Sequence, residues 1–222
     1  MIIIDIIISI MIKKINKQFR QKKNLIYKIL ISNNFLLFFL LLIIFLYPFF
    51  NRPQENIYIL GSVIDNIIPL VPFFSILYLL YFPWLFINIF LAWYRKNNFK
   101  PLAYSLIIIN VIAYLIYLTL QTHVTREVII SQDFFSQILR FIYNHDHPYN
   151  CFPSLHSALS ASLASYYLIT NSKNKYINVV IAILIIISTL FVKQHYVADV
   201  IFGSFLGIFI TWLIFLKSKN QN

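Results

Sequence analysis

Phe152-Pro153-Ser154-Leu155-His156 opens one apolar stretch of the chain, and Lys193-Gln194-His195-Tyr196-Val197-Ala198-Asp199 opens another. Ionisable groups at membrane depth are costly. Hydroxyl, imidazole and carboxylate at the mouths of two such stretches therefore mark a site as well as a fold. Outward from them the chain divides into six runs near the ~20 residues a bilayer helix needs. They cover about 29–50, 69–93, 101–121, 153–170, 177–193 and 196–216. The expected fold is an all-α, polytopic membrane bundle of six transmembrane helices, residues 29–222, behind a basic cytoplasmic segment, residues 1–28. The run 153–170 is rich in Ser and Ala, so it is expected inside the bundle rather than against lipid.

Composition excludes an ordinary soluble domain. With 60% hydrophobic and 11% charged residues, too little water-facing surface can be made. Fourteen of the eighteen Lys and Arg residues fall before the first run, after the second, after the fourth or after the sixth. The opposite connections carry only Arg52, Arg126, Arg140 and Lys193. The positive-inside rule then sets both termini in the cytoplasm and both motifs outside. The net charge of +11 is accounted for by this topology and by anionic lipid, with no nucleic-acid partner. Met1 to Met11 is mostly Ile around Asp5 and too short to span, which leaves an interfacial segment or a start at Met11 as readings. The single cysteine, Cys151, precludes an internal disulfide and a Cys-based zinc site, and is read as a bystander.

The connection from Gln121 to Cys151 is long for a bundle loop. Phe134, Phe135, Ile138, Leu139 and Ile142 recur at helical spacing, which predicts a short amphipathic helix on the membrane surface, its apolar face on lipid and Arg140 snorkelling to headgroups. His145, Asp146 and His147 form a possible ligand set, but two histidines two residues apart fix no tetrahedral geometry. They are read as solvated or structural, with no metal and no cofactor expected.

Pro153 is expected in the first turn of the fourth helix, whose free amides and positive dipole end suit a phosphate, with Ser154 adding a hydrogen bond. His156 would sit beside that phosphate as general acid. A plain N-cap with an interfacial histidine remains the alternative at this point. A helix starting near Gln194 would place Asp199 one turn below His195, where it fixes the ring tautomer and leaves the other nitrogen as nucleophile. Attack on phosphorus would then give a phosphohistidine. A structural His-Asp pair is the alternative.

Pro-Ser-x-His followed about forty residues later by Ser188-x6-His195-x3-Asp199 resembles the type 2 phosphatidic acid phosphatase (PAP2) superfamily, whose core is shared with vanadium haloperoxidases. Asp65 to Pro69, Leu155 ahead of His156, and Gln194-His195-Tyr196 look most similar to its inositol phosphorylceramide synthase-like branch. The resemblance implies His195 as nucleophile, Asp199 as its orienter, His156 as acid and Ser154 as a phosphate ligand. It also implies Arg126 as the arginine of a first motif in which Thr119 and Glu127 replace the usual lysine and proline. Thr189 occupies the usual arginine position of the third motif, so Lys193 becomes the candidate for the missing charge.

Three functions fit. One is a phosphatase releasing phosphate from a lipid or isoprenoid phosphate on the extracytoplasmic side. Another is a lipid head-group phosphotransferase, in which an alcohol replaces water. The last is a non-enzymatic membrane protein or transporter with structural motif residues. The Gly203-x3-Gly207 pair with Ser204 is expected to let the sixth helix approach the fourth and bring His195 near His156, a dimerisation face being the alternative, and no oligomeric state follows from it.

Overall fold

The computed structural model describes residue 28 and residues 32–220 apart from 54 and 97. The readings of the N-terminal basic segment and of a start at Met11 lie outside the described residues. Helix α1, Asn33–Phe45, is capped by Ser32, whose hydroxyl accepts from the Phe35 amide at 3.2 Å. It continues into the single turn α2, Tyr47–Phe50, which tolerates Pro48 because first-turn amides have no intrahelical partner. A two-residue strand β1, Ile57–Tyr58, pairs in parallel with β2, Gln121–Thr122. Between them lie the short helix α3, Val63–Ile67, and the long helices α4, Phe74–Arg95, and α5, Phe99–Thr119. The chain reverses between α4 and α5 through left-handed Lys96 and Asn98. Then come α6, Phe134–His145, α7, Leu155–Ile169, α8, Lys175–Phe191, and α9, Val197–Lys219.

Helices form at all six expected places. Among the described residues, four stretches are long and apolar enough to cross a membrane: Asn33–Phe50, Phe74–Arg95, Phe99–Thr119 and Val197–Lys219. The protein is therefore membrane-embedded. The remaining two are shorter, 15 residues for α7 and 17 for α8. At 1.5 Å per residue they reach about 23–26 Å, less than the ~30 Å of hydrocarbon. Helix α7 is short because Ser154 caps it late and Thr170 ends it early, and it is buried over most of its length, as its Ser/Ala content leads one to expect.

Helix α5 is the central post, with Leu102, Leu106, Ile109, Ala113 and Tyr117 all buried. It packs on α1, α4, α7 and α9. The closest pairing is between α7 and α9. Asp199, Gly203, Gly207 and Thr211 recur every four residues along α9 and face Ser154, Ala158 and Ser162 along α7. The Ser154 amide donates to the Asp199 carbonyl at 3.1 Å. A Cβ on Gly203 would lie 2.4 Å from the Ser154 carbonyl oxygen, and one on Gly207 would lie 2.0 Å from that of Ala158. At the far end the Ser162 and Thr211 hydroxyls meet at 2.7 Å. Small residues thus bring the two backbones into direct contact, as the Gly-x3-Gly pair implied.

Helix α6 departs from expectation in its surroundings. Its Leu139 and Ile142 pack with Tyr78 and Val192, so the middle of its apolar stripe covers a small second core, while Phe134 at its start stays exposed. Arg140 does not reach outward. Its guanidinium donates to the carbonyls of Ile129 at 3.2 Å and Ser131 at 2.8 Å and to the Gln132 side chain, pinning the preceding loop. Those unpaired loop carbonyls need donors.

Candidate active site

His195 lies just before α9, which begins at Val197 rather than near Gln194. Lys193 takes a left-handed turn, φ 52°, and the Thr189 carbonyl accepts from the amides of Gln194 at 3.0 Å and His195 at 3.3 Å. The histidine is consequently presented from a tight loop, not one turn above Asp199 on a helical face. Its Nδ1 is 3.0 Å from the carbonyl of Cys151 and 3.6 Å from Asp199 Oδ2. A carbonyl oxygen only accepts, so Nδ1 carries a hydrogen, and in the neutral ring Nε2 is the nitrogen with the lone pair. The residue that sets the tautomer is thus the backbone of Cys151, a role that no side-chain motif can signal.

Asp199 is fully buried. One oxygen, Oδ2, accepts from the Tyr196 amide at 2.8 Å, closing the first turn of α9. The other, Oδ1, has no protein partner. Buried, half-satisfied carboxylates seek positive charge, and the nearby imidazole is the group that could supply it.

Pro153 precedes the cap of α7 rather than sitting in its first turn. Ser154 is the N-cap, its Oγ accepting from the Ser157 amide at 3.3 Å. Tyr117 fixes the approach by donating to the Pro153 carbonyl at 2.7 Å. His156 follows in the first turn, packed between Tyr78 and Tyr81, with ring centroids 4.4 and 4.3 Å away. Its ring lies 6.0 Å from that of His195, and its Nε2 is buried with no protein partner. The structure thus gathers Ser154, His156, His195 and Asp199 where α7 and α9 touch.

The two expected phosphate cations stand at the edge of this group. Arg126 stacks over the Tyr143 ring at 4.4 Å and donates to the carbonyls of Tyr143 and Asp146 and to the Gln194 side chain. It braces the residue next to His195. Lys193 donates to the carbonyls of Asp65 and Ile68 and pairs with Glu127 at 3.4 Å. Lys193 and His195 nevertheless line one cavity of about 230 Å³, together with Tyr196 and Thr125. Ser188, matched to the third motif, turns back to bond the Ile185 carbonyl at 2.6 Å.

Asp65 is a positioning residue to which the sequence reading gave no role. Its Oδ2 accepts from the Ser62 amide and hydroxyl, and its Oδ1 accepts from the Val197 amide at 2.7 Å. One carboxylate therefore caps α3 and α9 together, and the negative charge suits both helix N-termini. The spacing Ser62-x2-Asp65 is the signal that could have found the first half of this.

Asp146, read from the sequence as solvated or structural, is a second positioning residue. Its carboxylate accepts from Tyr47 at 3.3 Å, Asn51 at 2.9 Å and Tyr78, while His145 and His147 on either side stay exposed. The triplet turns its middle member inward and does not converge on an ion. A different group, Cys151, His195 and Asp199, has potential ligand atoms within 4.8 Å of one another. There the Cys151 thiol donates to the Pro148 carbonyl at 3.3 Å, and burial pushes its pKa up, which keeps it the poorer, protonated ligand. His123, outside this group, is held below its usual pKa by partial burial and then by Arg126.

A model of the PAP2 superfamily matches residues 31–222 of the chain. No curated protein and no solved structure matches it.

Proposed function

Because the chain belongs to the PAP2 superfamily, which includes phosphatases and lipid phosphotransferases, we propose that it releases phosphate from a lipid or isoprenoid phosphate through a phosphohistidine, on the extracytoplasmic side of the membrane. The observation that carries this reading is the pair of rings 6.0 Å apart, one with its tautomer set by a carbonyl and the other with an unpartnered nitrogen. His195 Nε2 attacks phosphorus as the bond from phosphorus to the alcohol oxygen breaks. His156 passes a proton to the departing alkoxide. In the second step His156 takes a proton from water as water attacks the phosphohistidine, which frees orthophosphate and restores both rings. Splitting the displacement in this way gives two easier steps.

Asp199 steadies the imidazolium character that develops on His195. The Ser154 hydroxyl and the first amides of α7 receive the phosphoryl oxygens, Lys193 joins them by exchanging the exposed Glu127 carboxylate for phosphate, and Arg126 acts through Gln194. Preorganised donors of this kind are each worth about 2.7–4 kcal/mol to a charged transition state. The second reading, transfer to an alcohol, is favoured by the large cavity beside His156, which has room for an acceptor.

Both readings are tested by rapid quench of the purified protein with radiolabelled lipid phosphate, with and without added lipid alcohol. An acid-labile phosphoenzyme that is absent in His195→Ala is expected. Free orthophosphate as the product supports hydrolysis, and label in the added alcohol supports transfer. Full activity of His195→Ala would remove the mechanism.

A further inference from the structure

The two histidines belong to the walls of different cavities. His195 borders the one of about 230 Å³ with Lys193 and Tyr196. His156 borders another of about 520 Å³ that His195 does not line. The apolar part of the larger cavity runs between α1 and α4, where Ile44 and Phe45 stand opposite Phe82 and Phe86. Phe45 and Phe86 stack across this seam with centroids 5.9 Å apart.

The buried part of its polar end is built on acceptors, with the cation Arg52 at its exposed side. Asp146 brings a carboxylate, and beside it Asn51, only 3% exposed, gives its amide hydrogen to Asp146. That bond fixes the amide orientation and leaves Asn51 Oδ1 as an acceptor with no protein donor. The exposed Arg52, His145 and His147 also line this cavity. A carboxylate next to an unpaired carbonyl oxygen disfavours a phosphate and favours a neutral hydrogen-bond donor.

We infer that this cavity takes the alcohol half of the substrate, and that the substrate is a lipid phosphate whose alcohol carries a second hydrogen-bond donor, a hydroxyl or amide N–H, received by Asn51 Oδ1. The inference rests on the proposed reaction at His195 and His156 and adds what sorts one lipid phosphate from another. The chain of the lipid lies between α1 and α4, the ester oxygen meets His156, and the second donor reaches the Asn51–Asp146 end. A lipid lacking that donor leaves Asn51 Oδ1 buried and unpaired, which a site built for a hydrogen bond penalises heavily.

The experiment compares two substrates of equal chain length in detergent micelles: a 1-acylglycerol 3-phosphate with its free hydroxyl, and the counterpart in which hydrogen replaces that hydroxyl. For the wild-type protein the ratio of kcat/KM values is expected to favour the hydroxylated lipid about tenfold or more. In Asn51→Leu the ratio should fall to about one. Because the ratio is read within each protein, a partly folded variant does not disturb it. Equal kcat/KM values for wild type, or a ratio unchanged in Asn51→Leu, overturn the subsite and leave the reaction standing. No release from either lipid by wild type overturns the reaction and the subsite together.

Discussion

At the scale of single residues, the backbone of Cys151 changes what is expected of Asp199. Where an aspartate alone orients a histidine, its replacement by asparagine favours the wrong tautomer and costs about 10⁴ in turnover. Here the Cys151 carbonyl holds Nδ1–H at 3.0 Å, closer than the carboxylate at 3.6 Å. Asp199→Asn should keep the reactive tautomer and lose only charge stabilisation, a fall in kcat of roughly 10- to 100-fold with little change in KM. Steady-state kinetics on one lipid phosphate checks this, and a loss near 10⁴ would return the orienting role to Asp199. The Cys151 side chain has the opposite prospect. Its thiol is buried, its pKa is raised by that burial, and it bonds Pro148. Maleimide labelling of the native protein should stay slow up to about pH 9, above the usual thiol range, and become fast on denaturation, with activity unaffected before it. Sequence singled out His156, His195, Ser154 and Asp199, which the fold brings together, because side-chain chemistry is written in residue types. It could not disclose the Cys151 carbonyl, since every residue has one.

Among the elements, the contact of α7 with α9 controls the site. A methyl group on Gly207 would have to occupy space 2.0 Å from the Ala158 carbonyl oxygen, which is backbone and cannot swing aside. Gly207→Ala should force the helices apart, at a cost of about 1–3 kcal/mol or more, and lower both the Tm and the turnover. Ser204→Ala, on the same helix, serves as the control with a small effect. Unchanged Tm in Gly207→Ala would show that the helices separate freely. This pairing was legible in part, because small residues at spacing four mark a close helix contact, while the choice between α7 and a second copy of the chain is made only by the fold. The start of α9 was not. Lys193-Gln194-His195 holds no Gly or Pro to stop a helix, and only the left-handed turn at Lys193 and the capping of Val197 by distant Asp65 reveal that the helix begins later. The inward face of α6 was hidden for a similar reason. Periodicity reports that a helix has an apolar face, but whether lipid or Tyr78 and Val192 meet it depends on tertiary packing.

For the whole molecule, the asymmetry of Lys and Arg supports the proposed orientation, which places Asn144, at the end of α6, and Asn220, after α9, on opposite sides. Cysteine substitutions at these positions in a Cys151→Ala background, probed with an impermeant reagent on intact cells, should label at Asn144 and remain protected at Asn220. Equal labelling would reverse the proposed siting of the reaction. The apolar runs located the six longest helices but not α3 or α6, and the assignment of each run as a span weakened for α7 and α8, whose lengths are set by local caps. Sequence also says little about empty space, so the cavities on either side of the histidines had no signature before the fold was known. Their separation bears on the traffic of products. If the alcohol departs through the larger cavity and orthophosphate through the smaller, neither blocks the other's exit, and the enzyme can hold both at once. Inhibition by the two products, added together, should therefore compound: in plots of reciprocal rate against orthophosphate at several fixed alcohol concentrations, the lines converge. Parallel lines would mean that the products compete for a single berth.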